Sequence, residues 1–287
     1  MRELVTLKTA EQIATMRRAG AVVAEMLERT RAAVRPGIAT EELDRIAAVV
    51  LAEHGATSSF LGYYGYPATI CTSVNEEIVH GIPGPRRLRE GDIVGIDAGA
   101  IVDGWHADAA ITVPVGRVNA KALALIAATE EALRRGIAAA RAGGRLGDVG
   151  AAVQAHADRH GLSVVRNYVG HGIGRAMHEP PQVPNYGTTG TGRPIAVGLC
   201  IAIEPMLNAG GAATRLLDDG WTVVTADGSL SAHFEHSLAV TADGPVVLTA
   251  PSGRPAARRP RGRAADEVQH RGRARGPPER GRTSLCL

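Results

Sequence analysis

Two aspartates, Asp97 and Asp108, stand in a stretch of sequence that otherwise resembles a pair of apolar strands. The stretch is GDIVGIDAGAIVDGWHADAAITV, residues 91–113. Its Asp-Gly pair, Asp103-Gly104, is typical of a two-residue hairpin turn. With that turn, Asp108 lies on the same face as Asp97, one diagonal step away, within reach of a shared ion. A turn acid and a solvated acid are the ordinary alternative, but lone carboxylates are costly in apolar strands.

Three more residues could complete such a site. Glu204 ends the apolar run GLCIAIEPML, Glu235 interrupts HFEHSLAV, and His171 lies in GHGIG, where glycines let the backbone approach another group closely. Taken singly, each residue has an ordinary alternative, namely a surface glutamate or a loop histidine bonded to the backbone. The sequence pattern alone leaves these alternatives open.

Charge balance favours grouping the five residues. Two divalent cations would neutralise the four carboxylates, and a neutral imidazole would add affinity without adding charge. Oxygen-rich ligands with a single His and no Cys favour Mn, Fe(II), Co or Mg over a structural zinc. Two such ions, about 3.5–4 Å apart, would share a hydroxide and stabilise a hydrolytic displacement. The group therefore predicts a two-metal hydrolase centre.

The elements that must position these residues repeat themselves at an offset of 106 residues. Nine residues recur, among them Glu25, His54 and Gly55, which match Glu131, His160 and Gly161. In the first half, Thr9 and Gln12 form a capping box before a helix that stops near Pro36-Gly37, and Thr40 caps a second helix through about Glu53, closed by Gly55. The second half predicts helices near 119–141 and 147–160. Strands are predicted over 69–74, 92–100, 105–113, 164–169, 198–207, 221–225 and 234–241.

This pattern predicts an α+β protein in which helices pack beside mostly antiparallel strands. Its two halves would be related by a pseudo-twofold axis. Pockets favour interfaces, so we expect the site at the seam between the halves.

The composition divides the chain into two unlike parts. Residues 251–287 hold ten Arg against three acids, a charge of +7, whereas the first 250 residues sum to −4. The tail from Ala250 is rich in Arg, Pro and Gly and cannot bury enough surface to offset chain entropy, so we expect it to be disordered. We therefore expect a catalytic body over 1–249 and a tail over 250–287. The tail is either a dispensable extension or a segment that touches RNA electrostatically.

The remaining composition indicates a cytosolic setting. Cys71, Cys200 and Cys286 have no paired spacing, which argues against a disulfide framework and favours a reducing compartment. No apolar run approaches the roughly 20 residues that span a bilayer. The charged start, MRELVTLKTAEQ, shows no secretory signal.

Five motifs, in order along the chain, resemble those of the type I methionine aminopeptidases. They are NEEIVHGIP (75–83), DAGAIVDGWHADAAIT (97–112), YVGHGIGRAMHEPPQVPNY (168–186), IEPML (203–207) and DDGWTVVTADGSLSAHFEHSLAVT (218–241). The resemblance covers about residues 5–249. It implies the pita-bread fold, in agreement with the duplicated halves. It also implies removal of the initiator methionine from nascent chains whose second residue is small.

The resemblance also assigns the five ligands. Asp108 and Glu235 would bridge two divalent ions, Asp97 would chelate one, and His171 and Glu204 would bind the other. Co, Mn, Fe(II), Zn and Ni are the candidate ions, and a hydroxide between them would attack the scissile carbonyl. Glu204 is also implied as the general base that takes the proton from the attacking water.

Further roles follow from the same motifs. His178 would donate to the scissile carbonyl oxygen, and His80 would contact the substrate amide nitrogen and help the leaving amine. Asn75 and Ser231 match a peripheral monovalent-cation site found in some relatives. The methionine side chain would occupy a pocket lined by Phe60, Tyr63, Tyr66, Cys71, Met177 and Trp221.

Two positions depart from the family pattern. Tyr64 stands where relatives often have His, and Met177 stands where Phe is common, so the resemblance does not fix the detailed pocket shape or a substrate contact from position 64. The nearest alternative function is a proline-specific dipeptidase or aminopeptidase, which shares the five ligands but usually carries an extra N-terminal domain. A non-catalytic binding module recruited through the basic tail is a second alternative, although such relatives generally lose metal ligands. We expect a cytoplasmic monomer that acts on nascent chains, with transient ribosome contact, no membrane attachment and no specific nucleic-acid partner.

Overall fold

Two pairs of helices flank the strands of this protein, whose structure is a computed structural model describing residues 4–251. Most of the predicted tail and Cys286 lie outside the described residues. The helices are α1 (Ala10–Ala33), α2 (Thr40–Glu53), α3 (Ala120–Ala139) and α4 (Leu146–Arg159). Helices α2 and α4 begin and end 106 residues apart, and α1 and α3 end at the same offset. The predicted duplication is therefore present in the backbone.

Glycines end the corresponding helices in the same way. Gly55 and Gly161, which follow α2 and α4, have φ of 61° and 65°. This left-handed conformation suits a residue without a Cβ just past a helix end. At the other end of α1, the predicted capping box is present. The Gln12 backbone N–H donates to Thr9 Oγ1 at 3.3 Å, and the Thr9 N–H donates to Gln12 Oε1 at 3.0 Å.

The prediction that Thr40 caps α2 is wrong by one residue. Ala39 is the N-cap, and Thr40 is the first helical residue. The Thr40 hydroxyl instead exchanges hydrogen bonds with Gly84, donating to its carbonyl at 3.0 Å and accepting from its N–H at 2.9 Å. The Thr40 hydroxyl therefore bonds to a loop that is distant in sequence instead of capping its own helix.

The strands are short, and every pairing among them is antiparallel. They are β1 (Thr57–Ser58), β2 (Ile70–Val74), β3 (Glu77–Val79), β4 (Ile93–Val102), β5 (Trp105–Pro114), β6 (Ser163–Val164), β7 (Gly170–Gly172), β8 (Glu179–Val183), β9 (Cys200–Ile203), β10 (Met206–Asn208), β11 (Thr214–Leu216), β12 (Val223–Thr225), β13 (Ser231–His233), β14 (His236–Thr241) and β15 (Gly244–Val247). A short 3₁₀ turn covers Tyr63–Gly65.

Four sheets result from these pairings. In one, β4 pairs with β1, β2 and β5, and the largest has the order β15-β14-β9-β7-β8. Two three-stranded sheets, β13-β10-β6 and β11-β12-β3, complete the set within the described residues. None of the helices in residues 4–251 is long and apolar enough to cross a membrane.

The hairpin of β4 and β5 has the predicted turn and register. Asp103 and Gly104 have φ of 50° and 73°, the left-handed values of a two-residue hairpin loop. Asp97 pairs with Ala110, so Asp108 lies one diagonal step from Asp97 on the same face. The local turn chemistry therefore determines which side chains meet.

Three predicted strands are interrupted. The strand predicted over 198–207 is divided into β9 and β10 at Glu204-Pro205, and Glu235 precedes β14 instead of lying within it. The strand predicted over 164–169 is mostly irregular, while His171 lies in β7 and not in a loop. Pro205 has no N–H for a strand ladder. The breaks place both glutamates where the backbone leaves the sheet.

The two helix pairs bury separate cores. Helices α1 and α2 pack against β2, β4 and β5, through side chains such as Met26, Leu43 and Ile96. Helices α3 and α4 pack against the strands of the second half, through residues such as Leu133, Val153 and Leu207. A third cluster lies between these layers and holds most of the aromatic side chains named above.

Candidate metal centre and substrate pocket

Asp108, His171 and Glu235 form a buried cluster with the spacing of metal ligands. One ligand atom from each lies within 4.8 Å of the others. The residues come from β5, from β7 and from the break before β14, so the strands of both halves are needed to assemble them. Ser237 holds Asp108 in place, because its hydroxyl accepts the Asp108 N–H at 2.9 Å and donates to the Asp108 carbonyl at 2.8 Å.

Asp97 joins the cluster through Asp108. The two carboxyl groups are close enough to hydrogen-bond to each other. Burial raises the pKa of both groups, and the negative charge of Asp97 raises that of Asp108 further. Burial also raises the pKa of Glu235, with a smaller contribution from the charge of Asp108. Negative charge is therefore costly here unless a cation is bound.

Glu204 reaches the same centre from the break between β9 and β10. Its Oε1 lies 3.8 Å from Nε2 of His171. The Asn185 side-chain amide donates to the Glu204 carbonyl at 2.9 Å, which holds the backbone at the break. The structure thus brings together all five residues that the sequence grouped.

The orphaned oxygens of this centre test whether the residues fit metal ions. Asp97 Oδ1, Asp108 Oδ1 and Glu235 Oε1 are buried and have no hydrogen-bond partner among the described residues. Buried carboxylate oxygens are normally paired or bound to metal. An oxygen-rich set with one imidazole suits divalent ions that prefer hard ligands. The residues present therefore fit divalent metal.

Glycines flank His171 because strand β7 is confined between β8 and β9. A Cβ at Gly170 would lie 2.3 Å from the Ala202 carbonyl oxygen, and one at Gly172 would lie 2.3 Å from that of Pro180. His171 Nδ1 lies 2.8 Å from the Gly172 carbonyl oxygen. A carbonyl only accepts, so Nδ1 carries the hydrogen and Nε2 keeps the lone pair that a metal needs.

His233 was missed by the sequence analysis. Its Nε2 lies 3.9 Å from Glu204 Oε2 and 3.9 Å from Glu235 Oε2, and it has no hydrogen-bond partner in the described part of the chain. Burial lowers its pKa to about 3, so the ring is neutral. A signal was available, because His233 precedes Glu235 by two residues and side chains two apart in an extended chain share a face.

The two histidines assigned to substrate also reach this region. The ring of His178 lies 4.1 Å from that of His171, between ring centroids. Burial lowers the pKa of His178 to about 2 and that of His80 to about 3. His80 has φ of 62°, a left-handed value that is rare for a non-glycine residue and is concentrated at functional sites.

The six side chains predicted to hold methionine lie in one apolar cluster. Four are buried and two are partly buried against them: Phe60, Tyr66, Cys71, Met177, Tyr63 and Trp221. Tyr66 packs edge-on against Trp221, with ring centroids 5.2 Å apart. Cys71 pairs with Asp97 in the β2–β4 register, so this cluster adjoins the metal centre.

The pair predicted to bind a monovalent cation is also adjacent. The Ser231 N–H donates to the Asn75 carbonyl at 2.9 Å. The Asn75 side chain contacts the start of β4, because its Oδ1 accepts the Ile93 N–H at 3.0 Å and its Nδ2 donates to Asp92 at 2.9 Å. The backbone and side-chain oxygens of Asn75 each accept one hydrogen bond and each keep a second lone pair.

Known proteins are similar to this chain in both sequence and fold. Residues 14–242 match the model of metallopeptidase family M24. The methionine aminopeptidase of Clostridium perfringens is 49% identical over 246 residues, covering 86% of this chain and 99% of that protein. Methionine aminopeptidase 1 of Mycobacterium tuberculosis is 51% identical over 255 residues, covering 86% and 96%. The crystal structure of methionine aminopeptidase from Rickettsia prowazekii matches with a TM-score of 0.85 at 43% identity, covering 86% of this chain and 100% of that chain.

This chain belongs to the methionine aminopeptidases of metallopeptidase family M24. The pita-bread fold implied by the motifs is confirmed. A prolidase from Pyrococcus furiosus shares the fold alone, with 19% identity and a TM-score of 0.67, and this chain covers 66% of its length. Methionine aminopeptidases thus match along their whole length, whereas the proline-specific relative carries additional chain.

Proposed function

We propose that this protein removes the N-terminal methionine from peptides and nascent proteins by metal-dependent hydrolysis. One observation carries the proposal. Four carboxylates and His171 converge on a buried centre in which one oxygen each of Asp97, Asp108 and Glu235 has no hydrogen-bond partner among the described residues, and a cluster of sulfur-containing and aromatic side chains adjoins it. Relatives named methionine aminopeptidase, at 49% and 51% identity, support the same function.

The five ligands, Asp97, Asp108, His171, Glu204 and Glu235, would hold two divalent ions. When bound, such ions polarise a carbonyl and lower the pKa of water. Glu204 takes the proton of the attacking water and passes it to the leaving amine. His178 donates to the carbonyl oxygen as negative charge develops there. His80 contacts the amide nitrogen of the bond that breaks.

The pocket supplies specificity for methionine. Phe60, Tyr66 and Trp221 offer aromatic faces and edges to a thioether, each contact contributing roughly 0.3–1.5 kcal/mol. Met177 and Cys71 add polarisable sulfur to the wall. A pocket of this kind favours methionine over polar side chains, and we propose a preference for a small second residue.

The identity of the metal ions is a separate part of this proposal. The ligand set suits Mn, Fe(II) or Co, and Zn or Ni also accept one histidine with carboxylates. A monovalent cation near Asn75 and Ser231 completes the proposal. Metal analysis of protein purified without added metal, paired with activity titrations for each ion, identifies the ion that the protein uses.

We further propose that the protein acts in the cytoplasm, as a monomer, on chains that emerge from the ribosome. The basic segment beyond residue 251 is not needed for peptide cleavage in this proposal. Truncation after residue 251 should leave kcat/KM on a short peptide unchanged. A large loss of kcat/KM would mean that this segment contributes to catalysis.

Substrate choice tests the proposed function directly. We expect Met-Ala-Ser to be cleaved with a much larger kcat/KM than an Ala-Pro peptide, because the apolar pocket receives a long thioether side chain. Replacing Met by norleucine, which lacks only the sulfur, is the matched control and should lower kcat/KM modestly. A preference for the Ala-Pro peptide would overturn the assignment.

A further inference from the structure

Tyr63 and His178 are joined by a hydrogen bond between distant parts of the chain. The Tyr63 phenol oxygen lies 2.8 Å from Nδ1 of His178, across 115 residues of sequence. Tyr63 opens the short turn Tyr63–Gly65, and His178 immediately precedes β8. The motifs gave Tyr63 only to the methionine pocket, so this contact lies outside the role assigned to it.

The direction of this hydrogen bond depends on the tautomer of His178. A neutral imidazole has one nitrogen that donates and one that accepts, whereas a phenol can do either. His178 Nε2 is buried and has no hydrogen-bond partner within residues 4–251. If His178 donates to the substrate carbonyl, the hydrogen must be on Nε2. Nδ1 then has only a lone pair, and Tyr63 must be the donor.

The environment of Tyr63 keeps the hydrogen on its hydroxyl group. Burial raises the pKa of its phenol to about 12, so the hydroxyl keeps its hydrogen at neutral pH. Its ring is held on two sides, edge-on to Tyr64 at 4.7 Å and tilted over the His178 ring at 5.5 Å, between centroids. The phenol oxygen is therefore fixed relative to the imidazole.

We propose that Tyr63 is a positioning residue that donates its phenolic hydrogen to Nδ1 and so holds His178 in the Nε2–H tautomer. This inference rests on the proposed function, because it matters for catalysis only if His178 donates to the scissile carbonyl. The same side chain would then serve both the specificity pocket and the orientation of the catalytic donor.

Kinetics of Tyr63→Phe test the role. The variant keeps the ring in the pocket and removes only the hydroxyl, so KM for Met-Ala-Ser should change little. We expect kcat to fall about 10- to 100-fold, as when a partner that fixes a histidine tautomer is lost. Tyr186→Phe removes a phenol that packs against Arg166 and the core of the second half, outside the methionine pocket, and should match wild type. A rise in KM with unchanged kcat would reduce Tyr63 to a pocket residue and overturn the proposal.

Nitrogen NMR tests the tautomer without any turnover. In the full chain labelled with ¹⁵N-histidine, the His178 ring, assigned by its loss in His178→Gln, should show a protonated Nε2 and an unprotonated Nδ1. In Tyr63→Phe the two nitrogens should move toward averaged shifts. A protonated Nδ1 in wild type overturns the proposal, as does an unchanged ring spectrum in Tyr63→Phe. The expected spectrum in a chain inactive on methionine peptides would support the hydrogen-bond assignment and contradict the proposed function.

Discussion

Asp97 and Asp108 lie one diagonal step apart on the same face of the β4–β5 hairpin, close enough for their carboxyl groups to hydrogen-bond. Strands normally separate like charges, and directly opposed like charges destabilise a sheet. Here the turn and the register bring the two together, and the other ligands add to the same negative cluster. A bound cation would offset the repulsion among these carboxylates. The effect of metal can therefore be measured as a change in the stability of the folded protein.

Divalent metal should stabilise the folded protein. At a concentration one hundred times the dissociation constant, binding contributes about 2.7 kcal/mol. Asp108→Asn keeps the size of the side chain but removes one negative charge of the buried cluster, and it should abolish most of this gain. Calorimetric melting with and without Mn²⁺ measures the effect, and Asp158→Asn, on the exposed end of α4, is the matched control. An undiminished metal-induced rise in Tm for Asp108→Asn would remove Asp108 from the centre.

Glu204→Gln should stop turnover with little loss of folding. The amide has the same shape as the carboxylate but cannot take a proton from water. The Asn185 bond goes to the Glu204 backbone carbonyl and is retained. We expect kcat to fall by roughly 10²- to 10⁴-fold, with an unchanged circular dichroism spectrum. Activity near that of wild type would show that another group is the base.

His233→Phe should weaken metal binding. The change preserves a buried ring and removes the nitrogen that lies 3.9 Å from both Glu204 and Glu235. Groups that orient metal ligands typically contribute about 10- to 100-fold in affinity or activity. Calorimetric titration of Mn²⁺ into the variant measures this loss. Unchanged affinity would make His233 a packing residue.

Lys8→Met should destabilise the loop that carries His178. Lys8 Nζ lies 2.5 Å from Glu179, and both side chains are largely buried, at 3% and 14% exposure. Glu179 also accepts the N–H of Arg175 at 2.7 Å, so it fastens the segment that precedes His178. We expect a loss of about 1.5–3 kcal/mol in unfolding free energy and a lower kcat. Chemical denaturation measures the first effect. Adding Glu179→Gln should recover part of the stability, and a further loss would contradict a charge-pair role.

His156→Leu should stabilise the protein. His156 is 5% exposed, and neither ring nitrogen has a partner among the described residues. Its counterpart at the 106-residue offset is Val50, which is fully buried. Removing an unpaired buried polar group is expected to contribute about 1–3 kcal/mol. Urea unfolding measures the difference in unfolding free energy between wild type and variant. Equal stability would mean that the imidazole has hydrogen-bond partners in solution.

The gain from His156→Leu should be larger in acid. Burial, followed by the positive charge of His160 and Arg135, lowers the pKa of His156 below its ordinary value, and Glu131 opposes this weakly. The unfolded chain then binds a proton that the folded chain rejects. The wild-type protein therefore loses stability as the pH falls below the ordinary pKa of histidine, whereas His156→Leu has no such loss. Unfolding at about pH 8 and about pH 5 measures the two states, and a gain independent of pH would contradict this account.

Local sequence determined the parts of this structure that depend on neighbours along the chain. The β4–β5 hairpin, and with it the Asp97–Asp108 pair, could be predicted because the turn type fixes register. The helices and their glycine ends could also be predicted, because capping residues and helix-ending glycines are local signals. The capping of α2 could not, because the Thr40 hydroxyl bonds to Gly84, which is close only in the folded protein.

The rest of the centre depends on contacts that no short stretch of sequence contains. Glu204 and Glu235 were assigned to continuous strands, whereas the structure breaks the strands at both residues. Family motifs were needed to join them to His171. His233 could have been found from its two-residue spacing to Glu235, but its distances to Glu204 and Glu235 are set only by the folded chain. The Tyr63–His178 bond likewise joins two motifs whose order in sequence gives no distance.

The duplication has a consequence for how this enzyme comes into being. Asp97 and Asp108 belong to the first half, and His171, Glu204 and Glu235 belong to the second, so neither half contains a complete centre. Glu235 enters only just before β14, close to the end of the described residues. During its own synthesis the growing polypeptide is therefore inert until almost all of the body has left the ribosome. Catalytic competence therefore requires that both halves have been made and have come together.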